Sequence, residues 1–201
     1  MTVALVDDDE AVLDSLRMAL ESRSIAVRCF TSAEAFMESL DELRPRCVVS
    51  DVRMPGWSGI ELQQALKARD ATLPLILITG HGDIPMAVNA IKEGAFDFIE
   101  KPFDYERLID SIMKAIEYGD RAHSAQAQLV DLAQRVGELS ERQREVMDRV
   151  VEGLSNKEIA QALGISPRTV ENYRAWVMEK MGATNLADLV RKVLLLNSHA
   201  R

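Results

Sequence analysis

The 201-residue sequence predicts two domains of different class, a doubly wound α/β domain on a five-stranded parallel sheet followed by an all-α four-helix domain. Three observations predict it. Short apolar runs alternate with helical periodicity through the first 120 residues, no strand pattern recurs after residue 138, and the charge changes sign between the two parts. Residues 1–138 carry 14 Lys and Arg against 24 Asp and Glu, a net of −10, whereas residues 139–201 carry 10 against 8, a net of +2. The whole-chain charge of −8 therefore conceals a mildly basic C-terminal part, and the two parts are expected to meet different partners.

Taken in order, VALV (3–6), IAVRCF (25–30), RCVVS (46–50), LPLILIT (73–79) and FDFIE (96–100) read as short buried strands. Helical patterns lie between them near 10–22, 32–42, 59–69 and 84–94, and a fifth near 104–118 follows the last strand. Gly56, Gly59, Gly82, Gly94 and Pro102 punctuate the boundaries. Five βα units imply a parallel sheet with helices on both faces. Cys29 and Cys47 fall inside apolar runs without metal-ligand or redox-pair spacing, so both are expected as core thiols. The start, MTVALVDDDE, lacks the basic and long apolar regions of a leader, and no later run approaches the roughly 18 apolar residues of a spanning helix. A cytoplasmic protein with no membrane partner is expected.

The strand ends carry the chemistry. Asp7 and Asp8 follow the first strand, Asp51 ends the third in VVSDVRMPGWSG, Thr79 ends the fourth and Lys101 follows the fifth. All project from the carboxyl edge, where open α/β sheets hold their ligands. A solvated turn accounts for a lone Asp51 but predicts no particular chemistry at four separate ends. Together the residues suit one reaction. The aspartates offer hard oxygens to Mg²⁺, Asp51 keeps a carboxylate oxygen for an incoming phosphoryl group, Lys101 supplies positive charge, and the Thr79 hydroxyl can bond the aspartyl phosphate. The Lys101–Pro102 bond can be cis at modest cost, although trans is favoured from sequence alone.

The segments VDDDE, SDVRMPGWSG, ILITGHGD and FIEKPF resemble the receiver domain of two-component response regulators over about residues 1–120. The resemblance implies that Asp51 is the phosphoacceptor and that Asp8 and Asp51 bind Mg²⁺ with the main-chain carbonyl of Arg53. It further implies that Asp7 supports the metal through water and that Thr79 with Phe98 forms the switch. Alternation along FDFIE puts Phe96 and Phe98 on one strand face. Haloacid-dehalogenase-like phosphatases also form an aspartyl phosphate on such a sheet, but their motif has an acid two residues after the nucleophile, where this chain has Arg53. Transient self-phosphorylation and slow self-dephosphorylation are therefore expected, without turnover of a substrate.

Residues 121–138 read as a helical linker between the receiver and an output domain at 139–201. Leu129, Leu132, Val136 and Leu139 form a short apolar stripe, suited either to packing on a domain or to self-association. Beyond it the caps are explicit. Ser140 with Gln143 and Ser155 with Glu158 form capping boxes, Ser166 precedes Pro167 as an N-cap, and Gly153 and Gly164 act as stops. A short helix, a turn at 164–166 and a longer helix to Met181 give a helix-turn-helix outline. On the longer helix Val170, Val177 and Met181 face the core with Tyr173 at the flank, and Glu171, Asn172, Ala175 and Glu179 face away. Arg168, Thr169, Arg174 and Lys180 surround that outer face as phosphate-binding groups, and Ala175 allows close approach to a major groove.

The stretch SERQREV, GLSNKEIAQALGIS and RTVENYRAWVMEKMGA resembles the LuxR-type output domain over about 139–194, and the whole chain is similar to response regulators of the FixJ type. That resemblance places Glu171, Asn172 and Ala175 at base-reading positions and makes residues 185–196 a fourth helix that pairs two copies. Leu186, Leu189, Val190, Val193 and Leu194 form its stripe, widened by Leu195 and Leu196. Many relatives have His where this chain has Tyr173. The implied partners are a sensor histidine kinase, promoter DNA, RNA polymerase and, on phosphorylation, a second copy paired through a receiver surface bearing Val88 and Lys92. The competing expectation is a phosphorylation-independent regulator whose receiver serves as a protein- or ligand-binding module.

Overall fold

A computed structural model describes residues 2–80 and 84–199. Gly82, one of the predicted boundaries, lies outside the described residues. Five strands, β1 (Thr2–Val6), β2 (Ala26–Phe30), β3 (Cys47–Asp51), β4 (Leu75–Thr79) and β5 (Asp97–Glu100), form one parallel sheet in the order β2-β1-β3-β4-β5. The helices between them are α1 (Glu10–Glu21), α2 (Ala33–Leu43), α3 (Gly59–Arg69) and α4 (Ile84–Lys92), and α5 (Tyr105–Gly137) follows β5. The helical part adds α6 (Glu141–Val151), α7 (Asn156–Leu163), α8 (Pro167–Lys180) and α9 (Leu186–His199). The chain divides into two compact units at His123 and Ser124. Among the described residues no helix is long and apolar enough to cross a membrane.

Both sheet faces are covered, as the unbroken apolar strands require. One face of the sheet packs Val3, Leu5, Val49, Ile76, Ile78 and Ile99 with residues of α1 and α5, and the other packs Ala4, Val6, Val48 and Leu77 with residues of α2, α3 and α4. Cys47 is buried in the first cluster, where burial pushes its thiol well up, and Cys29 packs half-buried against it. Alternation misplaces one aromatic. Phe98 packs with the second cluster, but Phe96 precedes the first residue of β5 and packs with the first, its ring 5.6 Å from that of Tyr118. The expected single face for the two rings fails because the two-residue period holds only within the strand.

The predicted separate linker is not a separate helix. Helix α5 continues unbroken from Tyr105 to Gly137, beyond the expected end near 118, and Gly119 lies inside it. A Cβ at Gly119 would stand 2.9 Å from Pro74 Cδ, so the glycine permits close packing and does not stop the helix. The far end of α5 supplies Leu132 to the core of the second unit, with Val136 packed on it. That resolves the linker stripe in favour of packing on the helical unit. Leu139, Val146, Met147, Ile159, Val170, Val177, Met181, Leu189 and Val193 complete this core.

Candidate functional site

The register of the sheet assembles the first cluster. Val6 pairs with Ser50 and Asp51 with Ile78, so Asp7 emerges beside Asp51 at the point where the strand order reverses. The main-chain N–H of Lys101 donates to the Thr79 carbonyl at 2.7 Å, which holds the loop after β5 against the end of β4. The Lys101–Pro102 bond is cis, against the trans form favoured by sequence alone; the X-Pro amide separates the two forms by only about 0.5–1 kcal/mol.

Lys101 Nζ donates to Asp51 Oδ1 at 2.6 Å and to Asp7 Oδ2 at 2.9 Å. The carboxylates are held on their other oxygens by main-chain donors, Asp7 Oδ1 by the N–H of Asp9 at 3.0 Å and Asp51 Oδ2 by the N–H of Arg53 at 2.6 Å. Asp7 is 2% exposed and Asp51 7%, whereas Asp8 and Arg53 face solvent. Thr79 is fully buried at the end of β4. Burial raises the Asp7 carboxyl above its usual range, more than its bonds to Lys101 and Asp9 lower it. Burial also pulls the Lys101 ammonium down, but the bonds to Asp51 and Asp7 and their charges outweigh it and hold it raised.

Each aspartate of VDDDE has a separate position. Asp7 joins the cluster, Asp8 is exposed, and Asp9, which sequence reasoning passed over, caps α1 by accepting from the N–H groups of Ala11 and Val12. Asp9 thereby sets the chain path that aims its own N–H at Asp7. Its signal was an ordinary one, an aspartate just before a helical pattern.

Among the described residues no three His, Cys, Asp or Glu side chains gather as a metal cage. Mg²⁺ does not require one, because it retains waters and takes one or two carboxylates. The donor set fits such an ion: two adjacent carboxylates share a single ammonium, which leaves anionic charge, and Asp8 is exposed beside them.

The loop after Asp51 is braced from below. The N–H of Trp57 donates to Glu34 Oε1 of α2 at 2.9 Å, and the Gly59 N–H donates to the Val52 carbonyl at 3.0 Å. A Cβ at Gly59 would collide with the main-chain oxygen of Asp51. Gly59→Ala is therefore expected to lower stability by about 1–3 kcal/mol, the usual cost of overpacking, and to displace the Asp51 strand end. The midpoint of denaturant unfolding and the rate of phosphorylation check the two effects.

In the second unit, the capping boxes Ser140/Gln143 and Ser155/Glu158 form, Ser166 caps α8 with Pro167 at its start, and Gly164 ends α7 in the left-handed conformation at φ +66°. These caps fix the α7–turn–α8 geometry. Val170, Val177 and Met181 are buried, and Arg168, Glu171, Asn172, Ala175 and Glu179 are exposed. Thr169 is half-buried, its N–H held by Ser166 Oγ.

Three of the predicted phosphate ligands are already engaged. Arg174 Nη1 donates to Asn156 Oδ1 at 2.6 Å, tying α8 to the start of α7. Lys180 Nζ donates to the Glu138 carbonyl at 2.8 Å and to Gln143 Oε1 at 3.0 Å, tying the end of α8 to the α5–α6 junction. Arg168 pairs with Glu171 at 3.0 Å, but its side chain is 83% exposed and such a pair is weak. Sequence reasoning missed Trp176, a large exposed side chain on the same outer face.

On α4, Val88 and Lys92 are both exposed. On α9, Leu189 and Val193 are buried and Leu195 and Leu196 pack on the core, while Leu186 and Leu194 remain exposed. The stripe is thus split between core and surface.

A five-stranded parallel sheet with a carboxylate–lysine cluster at its switch point, joined to a helix-turn-helix unit, defines a two-component response regulator. A profile described as the response regulator receiver domain matches residues 3–113, and one described as bacterial regulatory proteins, luxR family, matches residues 137–193. The chain belongs to the response-regulator family, in its FixJ-type branch with a LuxR-type output domain. It is 49% identical over 189 residues to the transcriptional regulatory protein FixJ of Bradyrhizobium diazoefficiens, covering 94% of this chain and 92% of that one. It is 40% identical to the response regulator protein TodT of Pseudomonas putida, covering 94% and 83%. Among solved structures, the response regulator StyR matches with a TM-score of 0.83 at 40% identity over 96% of this chain and 97% of that one. Full-length FixJ from B. japonicum matches with a TM-score of 0.60 at 47% identity over 98% and 97%. The chain is accordingly a phosphorylation-activated transcriptional regulator of a two-component system, whose partners are a histidine kinase and promoter DNA.

Proposed function

We propose that Asp51 is the phosphoacceptor and that its phosphorylation drives pairing of two chains on promoter DNA, with the receiver ending at about residue 120, a linker over 121–138 and the output domain over 139–201. The observation that carries this reading is the Lys101 ammonium bridging Asp51 and Asp7 at 2.6 and 2.9 Å. One Asp51 oxygen forms the new bond to phosphorus while the bond to the donor breaks, the leaving group taking the electron pair. Each carboxylate oxygen has a second lone pair, so the bonds to Lys101 and Arg53 leave Asp51 able to attack. Lys101 stabilises charge on the transferring group, and the main-chain N–H of Arg53 orients the carboxylate. Asp8, Asp51 and the Arg53 carbonyl would hold Mg²⁺, with Asp7 supporting it through water; the ion would neutralise phosphoryl oxygens. The protein is no enzyme beyond this self-phosphorylation and its slow reversal.

Thr79 then turns toward the phosphate, and Phe98, half-buried against the α2–α3–α4 cluster, moves with it. The α4 surface with Val88 and Lys92 pairs two receivers, and the exposed part of the α9 stripe pairs two output domains. Glu171, Asn172 and Ala175 read bases, flanked by Thr169 and Arg168, and the complex engages RNA polymerase. The protein acts in the cytoplasm, a reading that its DNA partner supports. The test is incubation of the full chain with acetyl phosphate and Mg²⁺. Intact mass should show one phosphoryl group that acid removes, and its absence would refute the reading.

A further inference from the structure

We propose that Trp176 is a DNA-backbone contact, its indole lying against the sugar-phosphate wall of the groove and its N–H donating to a phosphate oxygen. The proposal rests on the reading of α8 as the helix that enters DNA. At about 100° per residue, Trp176 lies about 40° around the helix from Asn172, toward Thr169 and away from Ala175. Glu171, Ala175 and Asn172 span about 100° of the helix with Asn172 at one edge, so an exposed side chain about 40° beyond that edge meets the groove wall before the base edges.

Three properties favour a contact over an idle surface residue. Trp176 is 48% exposed and does not belong to the output-domain core among the described residues. Its indole is held, packed edge-to-face on Tyr173 with centroids 5.5 Å apart at 76°, and Tyr173 itself packs on the core. A large ring fixed in place before binding loses little conformational freedom when it binds. Its chemistry also fits the proposed wall, an apolar face for deoxyribose and one neutral donor for phosphate. Tyr173 gains a role as the brace.

The sequence contains two tryptophans, and the other, Trp57, sits in the β3–α3 loop. Trp57→Phe in the full chain makes Trp176 the sole indole reporter. After treatment with acetyl phosphate, this protein is titrated with a random-sequence duplex and with a duplex selected from a random pool by the wild-type chain. Binding is read independently by the anisotropy of fluorescein-labelled DNA. Trp176 emission should change saturably, with the midpoint given by anisotropy. Trp176→Ala should weaken both duplexes by about tenfold, the scale of a lost tryptophan anchor, without changing the slope of log affinity against log salt, because a neutral donor releases no counterion. Trp176→Phe, which keeps the ring and loses the donor, should fall between.

Binding seen by anisotropy with unchanged emission would overturn the proposal. So would a loss confined to the selected duplex, which would make Trp176 a base reader, or a change of oligomeric state without DNA, which would make it a protein contact. If no variant bound either duplex, the assignment of α8 to DNA would fall first and this proposal with it.

Discussion

Asp51→Asn should take up no acid-labile phosphate from acetyl phosphate and Mg²⁺, while remaining folded. The side-chain amide has the shape of the carboxylate but no anionic oxygen for phosphorus. Its cost can be judged from the cluster. Asp51 Oδ1 accepts from Lys101 and Oδ2 from the Arg53 N–H, and an amide can keep only one of these because its nitrogen is a donor. Lys101 retains its bond to Asp7, so the loss is about 1–3 kcal/mol for one unmet donor at a nearly buried position, well within the stability of a domain. Circular dichroism and a denaturant midpoint report the fold, and intact mass reports the phosphate. Uptake at the wild-type rate would move the acceptor to another residue.

The second large effect separates base reading from phosphate contact and from bracing. Asn172→Ala should cost roughly 1–3 kcal/mol at particular base pairs and leave binding to random DNA nearly unchanged. Arg168→Ala should weaken all sequences and lower the salt slope by about one, since Arg168 is the most exposed cation at the start of α8. Lys180→Ala and Arg174→Ala should instead lower the unfolding midpoint of the output domain. Lys180 closes the α5–α6–α8 corner, and Arg174 joins α8 to Asn156 of α7. Fluorescence anisotropy across a salt series, with thermal unfolding of the same variants, distinguishes the three classes. If Asn172→Ala weakened random DNA as much as the selected site, the assigned face of α8 would be wrong.

Sequence was sufficient where the signal was local. Cap chemistry is local, so Ser140, Ser155, Ser166 and Gly164 could be read directly, as could the strands, whose both-sided burial leaves continuous apolar runs. The cluster was legible because Asp7, Asp51 and Lys101 each follow from a strand end, and parallel strands bring those ends to one edge. The failures were tertiary. The helical pattern expected to end near 118 runs on to Gly137, and Gly119 within it admits Pro74, a contact that only packing decides. The bonds that Arg174 and Lys180 make within the domain were not legible, because their partners Asn156, Glu138 and Gln143 lie 18, 42 and 37 residues away in sequence. Trp176 was overlooked because an aromatic at helical spacing reads as core, and its exposure depends on how the other helices pack.

Phosphate on Asp51 is expected to control the output domain's hold on DNA. The direct measurement is the affinity of the full-length chain for one selected duplex at fixed salt, before and after treatment with acetyl phosphate and Mg²⁺, with Asp51→Asn carried in parallel. Coupling of about 1–3 kcal/mol is the usual scale between linked sites, so wild-type affinity should rise by about 5- to 150-fold while Asp51→Asn stays at its starting value. Equal affinities for the phosphorylated and unphosphorylated wild-type protein, with phosphate uptake confirmed by mass, would contradict it.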